Sequence, residues 1–220
     1  MTRQELPGTD AARYGSIDLS LMILMHDALR RDLVRLAKVA SRRNLVDPSR
    51  RPAINAGWEL FKEQLHIHHS GEDEQLWPKA RKRMARSDAG LSLLAEMEAE
   101  HDLVDPLLDE VDLAFADRET GDERLSDVVD ALTVALLNHL NHEERDALPL
   151  LGRVLTAKDW KEVIGEQRKM GLKVASRFFP WMLDEQTPAK TAKAVGMMPP
   201  PLRVVYRRSW QPKYARQERW

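Results

Sequence analysis

Six side chains in this sequence carry chemistry that their surroundings do not explain: His26, His68, Glu72, His101, His139 and Glu143. His68 and Glu72 are four residues apart, and so are His139 and Glu143. In a helix that spacing puts two side chains on one face, one turn apart. All six sit within apolar helical stripes. The first stripe reads Met22, His26, Leu29, Leu33, Leu36, Ala40, and the second Ile54, Trp58, Phe61, Leu65, His68, Glu72, Leu76. The third reads Leu94, Met97, His101, Val104, Leu108, Val111, Phe115, and the fourth Val128, Leu132, Ala135, His139, Glu143, Ala147. Every step is three or four residues, the period of one helix face. An ionised carboxylate on such a face is strongly disfavoured unless it is compensated or takes up a proton. Neutral imidazoles compensate it poorly, whereas metal cations compensate it well. Four imidazoles and two carboxylates supply two metal ions, and each carboxylate has two oxygens with which to bridge them. The 220 residues include no cysteine, which excludes disulfides, zinc fingers, thiolate clusters and cysteine nucleophiles. Imidazole and carboxylate without thiolate suit iron, manganese or zinc.

The elements that must position these groups repeat. His26 precedes His68 by 42 residues and His101 precedes His139 by 38. In both halves a proline, Pro78 or Pro149, follows the second His by ten residues. Each half is therefore a helix pair, and two such halves make a bundle with pseudo-twofold symmetry. The expectation is an all-α, up-down-up-down four-helix bundle over residues 16–155. Its helices span about Ser16–Arg43, Ile54–Met84, Leu91–Ala116 (with a kink at Pro106) and Leu125–Leu155 (with a bend at Pro149). Residues 156–220 form a second region: a fifth helix to about Met182, capped by Thr156 with Asp159 in the capping-box position, and an extended basic and aromatic tail after Pro188.

The remaining polar residues have competing readings. His66 lies off the stripe and faces solvent. His69 and His142 flank the site, as extra ligands or as neighbours only. Asp105 either ligates, supports His101, or is solvated beside Pro106. Asp73, Glu74 and Glu144 belong to the polar face, and Trp58, Phe61 and Trp77 to the core. From Arg203 to Trp220, five Arg and one Lys stand against one Glu, interleaved with Tyr206, Trp210, Tyr214 and Trp220. Nucleic acid is not the expected partner of this stretch; a tail folded back on the bundle, or a protein partner, is. The net charge of −1 gives no general attraction to nucleic acid or anionic lipid. No apolar run is long enough to span a bilayer, and no signal-peptide pattern opens the chain, so a cytoplasmic location is expected.

The segments LMHDALRRDL around His26, HHSGEDEQLWP around His68 and Glu72, EAEHDLVDPLL around His101, and HLNHEERDALP around His139 and Glu143 resemble the hemerythrin-like HHE cation-binding family. That resemblance implies a centre of two non-haem iron ions (Fe2+/Fe3+) with an oxo or hydroxo bridge. It assigns His26, His68, His101 and His139 as terminal ligands and Glu72 and Glu143 as bridges. The two His-x-x-x-Glu motifs look closest to bacterial proteins of nitrosative stress and iron-centre repair. Oxygen-carrying hemerythrins have a His-x-x-x-His pair on the third helix, and here Asp105 stands four residues after His101. The implied function is reaction with O2, peroxide or NO in oxidative or nitrosative stress defence or iron-centre repair. The alternative is a binding module that senses or stores gas or iron without turnover. A third reading is a helical scaffold whose polar network holds no metal. Whether the chain is an enzyme stays open at this point.

Overall fold

The computed structural model describes residues 15, 17–42, 47–169 and 171–220. Among them the regular structure is entirely helical. Four long helices carry the predicted stripes: α1 (Ser20–Ser41), α2 (Arg51–Gly71), continued by α3 (Trp77–Arg83), α4 (Asp88–Ala116), and α5 (Gly121–His142), continued by α6 (Leu148–Val154). Ser16, the expected first cap, lies outside the described residues; at the observed start, the Ser20 amide donates to Asp18 Oδ1 at 2.9 Å. At α4 the Ser87 hydroxyl accepts from the Gly90 amide at 3.2 Å, satisfying one of the donors that a helix start leaves free. Pro52 lies in the first turn of α2, where a missing N–H costs nothing, so the helix begins three residues earlier than Ile54.

The second and fourth predicted helices are not continuous α-helices. Each contains one π-helical turn, Glu72–Leu76 and Glu143–Ala147, before the last short helix. The Trp77 amide reaches the Glu72 carbonyl and the Leu148 amide reaches the Glu143 carbonyl. The next residue is proline in both cases, which has no N–H to continue an α-helical ladder. A wider turn just before it keeps the remaining bonds made. Both ligand candidates Glu72 and Glu143 open such a turn.

Two apolar clusters enclose the middle of the bundle. One contains Leu29, Leu33, Leu36, Trp58, Phe61, Leu65, Val104, Val111, Leu132, Leu136 and Leu140. The other contains Ile17, Leu19, Met22, Ile23, Leu76, Trp77, Leu94, Met97, Leu148 and Leu151. Burial of each such side chain contributes about 1.5–3 kcal/mol. His68, Glu72, His101 and Glu143 lie in sequence between the residues that their helices give to the two clusters, whereas His26 follows Leu24 and Met25, and His139 precedes Leu140, all three in the first cluster. On α5 the buried face is turned from the expected one. Leu125, Val129, Leu136 and Leu140 are buried, whereas Val128 and Ala135 are only partly so.

The expected fifth helix is two helices, α7 (Ala157–Arg168) and α8 (Gly171–Leu183). The Thr156–Asp159 capping box forms in both directions. The break falls at Gly171, whose φ of +82° is a left-handed value that glycine adopts without a Cβ penalty. The expectation of an extended tail after Pro188 is also corrected. Residues beyond it form α9 (Pro188–Met197), α10 (Pro200–Val205), a π turn (Tyr206–Trp210) and α11 (Gln211–Ala215). Pro188, Pro200 and Pro212 stand in first turns, where the fixed φ of proline favours a helix rather than ending one. Tyr206 is buried, and Trp210, Tyr214 and Trp220 pack against the first cluster. Trp181 donates from Nε1 to Asp32 Oδ2 at 2.7 Å, fastening α8 to α1. The Trp220 amide donates to the Ala53 carbonyl at 3.2 Å. None of the described helices is long and apolar enough to cross a membrane.

Candidate metal centre

Between the two apolar clusters lies a layer of buried titratable groups. His26, His68, His69, His101, His139, Glu72 and Glu143 are all at most 6% exposed. They fall into two sets: His26, His68, Glu72 and Glu143 offer ligand atoms that all lie within 4.8 Å of one another, and so do His69, His101 and His139. Glu72 faces both. Its Oε1 is 3.4 Å from His68 Nδ1 and its Oε2 is 3.4 Å from His101 Nε2. Glu143 Oε2 lies 3.0 Å from His26 Nε2, although the two are not aligned as a hydrogen bond. The rings pack closely, His26 on His68 with centroids 5.0 Å apart and His101 on His139 at 4.7 Å.

The inner edges of this layer are unsatisfied. Nε2 of His26, His68, His69, His101 and His139, and both carboxylate oxygens of Glu72 and Glu143, are buried without a hydrogen-bond partner. Each such buried polar group costs about 1–3 kcal/mol when left unpaired. So many converging imidazole nitrogens and carboxylate oxygens suit a bound metal. The donor set contains imidazole and carboxylate only, which fits iron, manganese or zinc.

The outer edges, by contrast, are anchored. His26 donates from Nδ1 to Glu144 Oε1 at 2.9 Å, and Arg30 donates to the same oxygen at 2.6 Å. His101 donates from Nδ1 to Asp73, 3.0 Å from Oδ1. His139 donates from Nδ1 to Glu100 Oε2 at 3.0 Å, and Glu100 also accepts from His142 at 2.7 Å. A carboxylate behind Nδ1 fixes the tautomer and aims Nε2 inward as a lone-pair donor. Asp73 and Glu144 are therefore not merely part of the polar face as expected. Each directly follows a candidate ligand Glu, and each holds the His of the opposite helix pair. Glu100 carries the same role without having been singled out; its position one residue before His101 was the available signal.

Burial and charge set the protonation pattern of the metal-free layer. For Glu72, burial and then neighbouring Glu143 push the carboxyl well above its usual range. Burial also raises Glu143, but His26 and His139 outweigh it and leave the carboxyl below its ordinary value. Burial lowers His26, yet Glu143 and Glu144 beside it raise its pKa to about 9. Burial, and then the adjacent imidazoles, hold His68 and His69 well below the ordinary histidine value. A protonated His26 and the Glu143 carboxylate thus compensate each other, while burial favours the neutral forms of Glu72, His68 and His69.

All six residues predicted from the stripes are brought together here. His69 joins them, in contact with His101 and His139. His66, Glu74 and Asp105 are exposed, and His142 stays behind Glu100. A profile of the hemerythrin HHE cation binding domain matches residues 18–151, a span that contains every member of the layer. The chain belongs to this family. Proteins with this domain bind metal ions, usually iron, in keeping with the unsatisfied donors of the hemerythrin-like layer. No curated protein and no solved structure matches the chain.

Proposed function

We propose that this hemerythrin-like chain holds two non-haem iron ions and reacts with O2, peroxide or NO. His26, His68, His101 and His139 would be terminal ligands, with Glu72 and Glu143 shared between the ions. The observation that carries this reading is the set of buried, converging, unpartnered Nε2 and carboxylate oxygens. The orientation of Glu72, one oxygen toward His68 and the other toward His101, supports its bridging role. An up-down-up-down bundle goes with this assignment. It is supported by the sense in which the four long helices alternate between the two apolar clusters.

Bound iron would supply Lewis acidity and electrons to a small ligand. The protein's part is positional and electrostatic. Glu144, Asp73 and Glu100 hold three imidazoles in one tautomer, with their inner nitrogens aimed inward. The two apolar clusters keep bulk water from the layer, which strengthens each charge interaction inside it. The test is to add peroxide or NO to the reduced, iron-loaded chain and follow consumption. Multiple turnovers are expected. A stable adduct without consumption would overturn turnover and leave a binding or sensing module.

A further inference from the structure

The helix pairs repeat closely around the centre. His68 corresponds to His139, Glu72 to Glu143, Asp73 to Glu144 and Pro78 to Pro149, each at the same spacing. The π turns and the short helices after them correspond residue for residue. Next to His68 and His139 the repeat breaks: His69 stands where the other half has Leu140. Both side chains are buried, His69 at 6% and Leu140 at 0% exposure. The His69 ring stacks on His101 with centroids 3.9 Å apart and planes 11° off parallel, and it meets His139 edge-on at 5.4 Å. Its Nε2 has no partner. A histidine retained only for packing would leave that nitrogen unsatisfied at a buried site, where a leucine, as in the other half, would fit without loss.

We infer that His69 is a fifth imidazole ligand, so that the metal pair is held by an unequal donor set. His69, His101 and His139 form one side, and His26 and His68 the other, with Glu72 and Glu143 shared. This inference rests on the metal-binding reading above and adds to it a residue outside the repeated motif. It also explains why adjacent histidines on α2 serve different positions. Residues 68 and 69 are turned about 100° apart on a helix, so one faces His26 and the other faces His101 and His139.

The inequality is readable without any activity assay. Cobalt(II) is titrated into the metal-free full-length chain against a competing chelator, followed by visible absorption, for the native protein, His69→Ala, Leu140→His and His66→Ala. The native chain should take up metal in two resolved steps. His69→Ala should weaken the tighter step by more than the ~10–100-fold that loss of an outer partner costs. Leu140→His, which supplies the matching imidazole, should strengthen the weaker step and draw the two together. His66→Ala, an exposed neighbour, should change neither. A folded His69→Ala chain with native titration steps overturns the inference. If that variant does not fold, steps left unmoved in Leu140→His overturn it instead. A native chain that binds two equal metals, unaffected by His69→Ala, defeats only this inference. A native chain that binds none defeats the metal reading itself.

Discussion

Replacing Glu144 with leucine is the sharpest test of how the layer is aimed. Glu144 is 3% exposed and receives the His26 Nδ1–H at 2.9 Å and Arg30 at 2.6 Å. The leucine removes the acceptor that fixes the His26 tautomer and leaves Arg30 with its bond to Asn141 Oδ1 at 2.9 Å. Loss of a carboxylate behind a ligand histidine lowers metal affinity about 10–100-fold, or about 1.4–2.8 kcal/mol at 1.4 kcal/mol per factor of ten. Because Glu144 is nearly enclosed, the effect should fall at the upper end. Asp73 is 38% exposed at its side chain, so Asp73→Ala should fall near the lower end, and the exposed Glu74→Ala should have no effect. The metal-free Glu144→Leu chain should also lose on the order of 3 kcal/mol, the cost of breaking a buried charge pair. Chelator competition reads the first quantity and urea denaturation the second. A folded Glu144→Leu chain with native metal affinity would refute the reasoning, as would Glu74→Ala proving equally damaging.

Metal uptake should release at least one proton per loaded chain at neutral pH, the one held by His26. His26 is charged there because its pKa is about 9, and the raised pKa of Glu72 acts in the same direction. Affinity should therefore rise as pH increases toward about 9; a pH-stat titration that records no acid release contradicts this. Trp181→Phe deletes the donor to buried Asp32 and should cost about 1.5–3 kcal/mol in thermal or urea unfolding. Gly171→Ala should destabilise by about 1–2 kcal/mol because of its positive φ. Gly165→Ala, within α7 and facing open space, should instead stabilise by about 0.5–1 kcal/mol.

The ligand candidates were legible because a polar residue in a helical apolar stripe has a definite place. The period of His26, His68, Glu72, His101, His139 and Glu143 specifies which face they share, and the repeat shows that the faces meet. What surrounds them was less legible. Asp73 and Glu144 follow a buried Glu by one residue, so their own stripe reads as solvent-facing; only the tertiary fold shows that they reach around to a neighbouring helix. His69 was ambiguous for the same reason, being one residue off the stripe. The π turns left a trace in Pro78 and Pro149, each six residues after its Glu, but a proline within a helical pattern reads equally as a kink. Pro188, Pro200 and Pro212 look like breaks in sequence and prove to be helix starts, since proline fits a first turn without loss and costs a hydrogen bond only in later ones. The rotation of the α5 face reflects tertiary packing that selects Val129 and Leu136 over Val128 and Ala135, residues of similar apolar character.

The central claim is that the buried imidazoles and carboxylates form a metal centre. Elemental analysis of the full-length chain, purified after expression with iron and without chelators, tests it directly. The account predicts about two iron atoms per chain, a value that falls sharply in Glu72→Ala and Glu143→Ala and is unchanged in Glu74→Ala. A well-folded chain that carries less than about one metal atom would contradict it.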